Sequence, residues 1–174
     1  FSTCAVGTAL PENVWKTSLD YYREIKCRFR GTNLSKDSPH FKPWKWEVSK
    51  KKIIRMLKFQ YNSIHISKKD KYGNIISLKI QGDNKFMIMM SEQFRIKVGR
   101  FFRNWGLLKS NFYKIINKKD RIIFVGKGLG HGVGLSQWGA KKLAQKGIRM
   151  KKILNFYYPL LKIKNFHQLG FYLD

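Results

Sequence analysis

The chain has 174 residues, with 36 Lys+Arg against 10 Asp+Glu, for a formal charge of +26. At 43% hydrophobic and 15% aromatic residues it is too apolar for a disordered basic tail, and its length suits one or two small domains. The longest wholly apolar run is Phe86–Met90, far short of the roughly 20 residues that span a bilayer.

Residues 1–47 read as irregular. Gly7, Pro11, Gly31, Pro39 and Pro43 punctuate them, and Trp15, Tyr21, Tyr22, Trp44 and Trp46 supply bulk. Ser49 is suited to cap a helix over about 49–61, which sets Ile53, Ile54, Leu57 and Tyr61 on one face. Residues 63–67 alternate as a strand, Tyr72-Gly73-Asn74 turns, and 74–81 alternate again. After a second turn at Asp83-Asn84, Phe86–Met90 reads as a short buried strand, completing an antiparallel meander. Ser91 and Glu92 start a helix to about 102, with Phe94, Val98, Phe101 and Phe102 on one side. Residues 111–117 and 121–125 form a hairpin about Lys118-Lys119-Asp120. A helix over 135–146 sets Leu135, Trp138, Leu143 and Ala144 inward and stops at Gly147. Another follows at Met150–Tyr157, then strands over about 160–164 and 168–173. The pattern predicts an α+β fold with mainly antiparallel strands and a Gly-rich loop leading into a helix.

That loop, residues 126–134, has glycine at every second position. Such a backbone can adopt positive φ or come close to a ligand, and before a helix it can turn N–H groups toward an anion or oxyanion. Phosphate-loop and dinucleotide patterns are absent: no GxxxxGK[ST] occurs, and the third glycine of GxGxxG falls on Val133. His131 stands at the loop crest between glycines. It is a candidate proton shuttle or hydrogen-bond donor to sugar hydroxyls, or else a ring that pins the loop to its own backbone. Ser136 and Gln137 either cap the helix or face the groove, and Trp138 is a helix anchor or a stacking surface.

Cys4 and Cys27 are too few for a disulfide scaffold; they pair in an oxidising compartment or stay as two thiols. The histidines do not complete zinc-ligand spacings with them, so no metal or cofactor is expected. Phe1 in place of Met, with neither basic nor apolar leader segment behind it, predicts a processed or trimmed product or a fragment.

The stretch GKGLGHGVGLSQWGAKKLAQKGIRMKKILNFYYP, residues 126–159, resembles the C-terminal motif of the stage II sporulation protein D / amidase enhancer LytB family. Gly130 to Ala140 match continuously; Ala144, Gly147, Ile153, Leu154, Tyr157, Tyr158 and Pro159 match at spacing. Ser2-Thr3-Cys4, Thr8, Glu12-Asn13-Val14-Trp15 and Tyr21-Tyr22 are similar to an upstream family stretch, and Phe94-Arg95 with Leu108-Lys109-Ser110-Asn111-Phe112 to another. The resemblance implies that residues 1–174 are the C-terminal portion of such a domain, working outside the cytoplasm in the cell envelope. It implies peptidoglycan remodelling: lytic transglycosylase cleavage of glycan strands free of stem peptides, or enhancement of a cell-wall amidase. The family's catalytic Glu lies upstream of the position matching Ser2, so this chain alone is expected to be inactive. Phe1 stands where the family has His, and Ala5-Val6 where it has Gly-Gly. His131, at the loop crest, is the catalytic candidate, and Gly130, Gly132, Gly134, Ser136, Gln137 and Trp138 are the candidate substrate-binding residues.

Two readings of function follow: a glycan-cleaving enzyme whose acid comes from other sequence, and a non-catalytic wall-binding module that enhances an amidase. Glycan strands, an amidase, and anionic wall polymer or a membrane surface are the expected partners. Nucleic acid is suggested by charge alone, and no zinc-finger, RNP1 or KH pattern supports it. Lys supplies 27 of the 36 basic residues and Arg 9, which favours diffuse electrostatics over bidentate readout. Lys, Ile, Asn, Phe and Tyr also share A/T-rich codons, so genome composition accounts equally for the charge.

Overall fold

Alternation of W-K-W-E-V-S buries Trp44, Trp46 and Val48 on one face of a strand, β4 in the order below, and leaves Lys45, Glu47 and Ser49 on the other. The structure is a computed structural model describing residues 2–3 and 6–164. In chain order its elements are β1 (Ser2–Thr3), α1 (Pro11–Trp15), β2 (Arg28–Phe29), β3 (Thr32–Asn33), β4 (Trp44–Ser49), α2 (Lys50–Leu57), β5 (Ser63–Lys69), β6 (Ile75–Gln81) and β7 (Phe86–Met90). Then come α3 (Ser91–Phe101), β8 (Tyr113–Asn117), β9 (Arg121–Gly126), β10 (Leu129–Gly130), α4 (Gln137–Gln145) and α5 (Met150–Tyr157). The fold is α+β, and every strand pair is antiparallel.

Two three-stranded sheets, ordered β4-β9-β8 and β5-β6-β7, carry the main core with α2 and α3. Phe124 on the central strand β9 is fully buried. Its ring lies 5.1 Å from Trp46, 5.7 Å from Tyr113 and 5.9 Å from Phe94. Asn117 joins the sheets: its side-chain amide accepts the Ile64 N–H (2.9 Å) and donates to the Ile64 carbonyl (2.9 Å). Two smaller clusters sit beside this core. One gathers Ala9, Val14, Tyr22 and Val133; the other gathers Leu34, Leu143, Ile153 and Tyr157.

Several expectations need correction. The supposedly irregular first 47 residues include α1, a tight β2–β3 hairpin and the start of β4. The helix expected to reach residue 61 stops at Leu57, because Lys58 turns left-handed (φ +54°) while its N–H still bonds the Ile54 carbonyl. Only one face of the β5-β6-β7 sheet packs on the core, so Met87 and Met89 are covered beside Ile80 and Leu78, while the alternate residues Phe86 and Ile88 of β7 face solvent. The helix expected from 135 begins at Gln137, after the cap residue Ser136, and Ala144 is exposed on it rather than inward. It ends in a Schellman turn: Gly147 (φ +76°) bonds back to Ala144 (2.9 Å) and Ile148 to Leu143 (3.1 Å). Residues 161–164 form no strand; Leu161 and Ile163 are exposed, so no buried face holds them extended. The strand expected over 168–173 lies outside the described residues.

Candidate functional site

The glycine loop leaves β9 at Gly126 and reaches α4 through four left-handed turns, at Gly128, Gly130, Gly132 and Gly134, with φ between +83° and +93°. Alternate positive φ is the conformation that alternate glycine permits. Gly126 serves a different need: a Cβ there would strike the Trp44 indole and the Phe112 carbonyl.

Five of the loop's backbone donors are engaged within the protein. Gly128 N–H bonds the His40 carbonyl (3.0 Å) and Gly130 N–H the Lys109 carbonyl (2.8 Å). Val133 N–H donates to His131 Nδ1 (3.1 Å), Gly134 N–H to the Tyr22 hydroxyl (2.9 Å) and Leu135 N–H to the Tyr158 hydroxyl (3.2 Å). The Gly132 carbonyl accepts from Ala9 N–H (2.9 Å), and β10 pairs with β1. With these five donors consumed, the loop is not a row of N–H groups aimed at an anion; it is a rigid rim. One of these five bonds, Val133 to His131, lies within the loop, and the other four reach segments distant in sequence.

The rim bounds a cleft of about 450 Å³ lined by Trp15, Leu19, Tyr21, Tyr22, His131, Val133, Gly134, Leu135, Gln137 and Tyr158. Trp15 and Tyr21 are 49% and 45% exposed, so their rings are open to a ligand. Trp15 is set by α1, whose first turn holds Pro11 and Glu12 and whose end is the left-handed Lys16. Its indole lies 5.0 Å from the His131 ring. Accepting the Val133 N–H requires a lone pair on Nδ1, so neutral His131 carries its proton on Nε2. Burial pushes the His131 imidazole below its ordinary value; the Glu92 charge pulls it up and the Arg95 charge pulls it down.

Glu92 is the electrostatic partner that sequence reading missed. It occupies the first turn of α3 and is only 5% exposed. Arg95 Nε donates to one carboxylate oxygen (2.9 Å) and the second guanidinium nitrogen donates to the other (2.5 Å). Asn111 Nδ2 donates to the same carboxylate (2.7 Å), and its carbonyl accepts from Ser91 Oγ (2.8 Å). Burial alone would raise the Glu92 carboxyl, but the Arg95 bonds and charge, helped by Asn111, hold it below the usual carboxylate range. An ionised carboxylate saturated by donors is an acceptor and a source of field, not a proton donor. The sequence signal was the Glu92/Arg95 spacing of three on a helix; the third partner comes from outside that helix.

Among the residues singled out from sequence, His131, Gly134 and Gln137 meet in the cleft. Ser136 is fully buried: its Oγ caps α4 by accepting Gly139 N–H (3.2 Å) and lies 3.3 Å from Ser35 Oγ. Trp138 faces a separate hollow with Leu34, Asp37, Lys141, Lys142 and Gln145, its ring 4.9 Å from the Lys141 ammonium. Gly130 pairs with Ser2, and Gly132 faces Ala9. Trp15, Leu19, Tyr21, Tyr22 and Tyr158 complete the cleft from other segments; the resemblance quoted all but Leu19, as motif positions and not as site residues. Cys27 is fully buried and disulfide-bonded; Cys4, the expected partner, lies outside the described residues. Among the described residues no cluster of three or more His, Cys, Asp or Glu could hold a metal ion, and no helix is long and apolar enough to cross a membrane.

The chain belongs to a family described as "Domain of unknown function (DUF8618)", whose model matches residues 23–134. That span contains both three-stranded sheets and the whole glycine loop. The chain is also similar to an uncharacterised protein of Brachyspira hyodysenteriae (strain ATCC 49526 / WA1), 28% identical over 173 residues, which is 96% of this chain and 43% of that protein. Over 53 residues, 30% of this chain, it is 42% identical to an amidase enhancer of Bacillus subtilis (strain 168), covering 8% of that protein. The chain therefore spans less than half the length of these curated relatives.

Proposed function

We propose that this chain is a non-catalytic module that binds cell-wall glycan outside the cytoplasm and assists an amidase. The observation that carries the reading is the aromatic cleft at the rim of the glycine loop. Trp15 and Tyr21 offer open ring faces, and His131 Nε2–H and the exposed Gln137 amide offer hydrogen bonds beside them. Sugar rings present apolar C–H faces and polar rims, and a mixed aromatic and polar cleft complements both. The local similarity to an amidase enhancer supports the amidase connection.

The lytic transglycosylase reading asks more of the site. Cleavage of a glycosidic bond needs an acid at the leaving oxygen. None of the ten cleft-lining residues carries a carboxyl, and nearby Glu92 is locked in its ion pair. The binding reading is therefore favoured.

The test is co-sedimentation with purified sacculi and with glycan stripped of stem peptides. The chain should pellet with both, Trp15→Ala with Tyr21→Ala should release it, and adding the chain should raise the rate of a cell-wall amidase. Equal sedimentation of the variant, or release of anhydro-sugar products by the chain itself, overturns the proposal.

A further inference from the structure

We infer a second binding site, a lysine-lined groove around Lys127 that holds a linear phosphodiester polymer lacking bases. Two hollows of about 330 Å³ and about 650 Å³ adjoin at Pro43 and Lys127, which line both, and together they are called the groove. It shares no lining residue with the His131 cleft. Lys69, Lys114 and Lys127 line the first part; Lys36, Lys42 and Lys127 line the second. None of these five lysines makes a salt bridge among the described residues. The single carboxylate on the groove, Asp37, is ion-paired with Lys142, which holds its carboxyl below the usual range. The groove thus gathers five lysines against one carboxylate, which Lys142 neutralises and which also feels the Lys36 charge.

The kind of charge and the shape select the ligand. Five lysines and no arginine give hydrated point charges without a fixed fork, which suits a repeating phosphate chain better than one oriented phosphate or carboxylate. A single-stranded nucleic acid is held by stacking its bases on open aromatic faces. The two phenylalanine rings here, Phe41 and Phe112, have the Lys127 ammonium over them, 5.2 Å and 5.6 Å from their centroids. That ammonium competes with a base for the same faces. A bilayer is a flat surface that cannot follow a concave groove, and none of the exposed large apolar side chains lines the groove to add insertion to charge attraction. A base-free polymer such as poly(glycerol phosphate) meets all three conditions: it is narrow, repeats its charge and needs no stacking.

The experiment titrates labelled poly(glycerol phosphate) against the 174-residue chain at rising salt. Parallel arms use a single-stranded oligonucleotide of equal charge and phosphatidylglycerol vesicles. The wild-type chain should bind the base-free polymer at least as tightly as the other two. Lys42→Gln, Lys69→Gln and Lys114→Gln together remove three exposed charges from the groove. They should weaken binding about tenfold or more at low salt and reduce the salt slope by about 2. A charge-matched control, Lys51→Gln, Lys52→Gln and Lys151→Gln on exposed positions of α2 and α5, should lose less than about threefold. Thermal midpoints of both triple variants serve to confirm folding. Trp15→Ala should bind the polymer as wild type does, which separates failure of this site from failure of the glycan cleft. Equal losses in the two triple variants would reduce the effect to net charge and overturn the inference, as would tighter binding of the oligonucleotide or the vesicles.

Discussion

Gly139 sits in the S-Q-W-G-A run at the start of α4, where it looks like part of a functional motif, yet its environment is one of packing. A Cβ placed there would collide with the Tyr157 hydroxyl, with the Tyr157 ring carbon Cζ and Ser136 Cβ each at 3.3 Å. Tyr157 is 1% exposed and belongs to the cluster with Leu34, Leu143 and Ile153, so its ring has no free direction of retreat. Gly139→Ala should gain about 1 kcal/mol of helix propensity. It should lose about 3 kcal/mol through overpacking against a ring that cannot move, because shifting Gly139 also loosens its bond to the Ser136 cap. The net cost is about 2 kcal/mol, which lowers the thermal midpoint by roughly 4–8 °C in a chain of this size. Differential scanning calorimetry reads the shift. Adding Tyr157→Phe removes the nearest atom and should recover most of the loss. Gly147→Ala is an instructive contrast: no atom lies within 4 Å of its Cβ, so its cost is conformational, about 1–2 kcal/mol at φ +76°, and Tyr157→Phe should not relieve it. A rise in midpoint for Gly139→Ala would refute the packing account and leave propensity alone in charge.

Glu92→Gln should cost about 3 kcal/mol, read as a lower urea midpoint at pH 7, because Arg95 (15% exposed) keeps its charge and loses its partner. The Glu92 carboxyl is held low in the folded chain, so its contribution is complete above the ordinary carboxylate value and disappears as pH falls through the lower folded one. The variant should lack that acid limb, and an unchanged acid slope would refute the assignment. The His131 imidazole is also lowered, from 6.5, so the unfolded chain takes up that proton first and stability falls as pH drops below 6.5. His131→Gln should flatten the pH dependence of the thermal midpoint between about pH 7 and 5; an identical profile would show that another group titrates there.

Local pattern carried much of this architecture. Period-two runs between turn residues located β5 and β6, a short apolar run located β7, a turn at Lys118-Lys119-Asp120 placed the β8–β9 hairpin, and the paired Gly147 and Pro159 signals bracketed α4 and α5. Strand β4 alternates as cleanly as any of them, but it lies behind a proline-rich stretch whose irregularity masked the start of the run. The exposure of β7 could not be read from F-M-I-M-M, because burial depends on which face of the sheet is covered, a property of the elements packed against it. The same division holds at the site. His131 and the glycine spacing are local features and stood out. The cleft's other walls come from residues 15–22 and from Tyr158, brought together by single long-range bonds such as Gly134 to Tyr22 and Leu135 to Tyr158.

Those bonds decide what kind of chemistry the loop can support. A glycine-rich turn before a helix ordinarily suggests an anion cradle made of main-chain donors. Here the donors of Gly128, Gly130, Val133, Gly134 and Leu135 point to His40, Lys109, His131, Tyr22 and Tyr158. Redirecting any of them to a ligand would give up an existing bond for the one gained, and at Val133, Gly134 and Leu135 the acceptor left behind would be partly buried. Recognition in the cleft therefore falls to side chains: the open faces of Trp15 and Tyr21, the Nε2–H of His131 and the Gln137 amide. A backbone cradle would select for charge. A rim of rings and neutral donors selects for uncharged polar rings, and the free positive charge of the Lys127 groove lies along a separate set of residues.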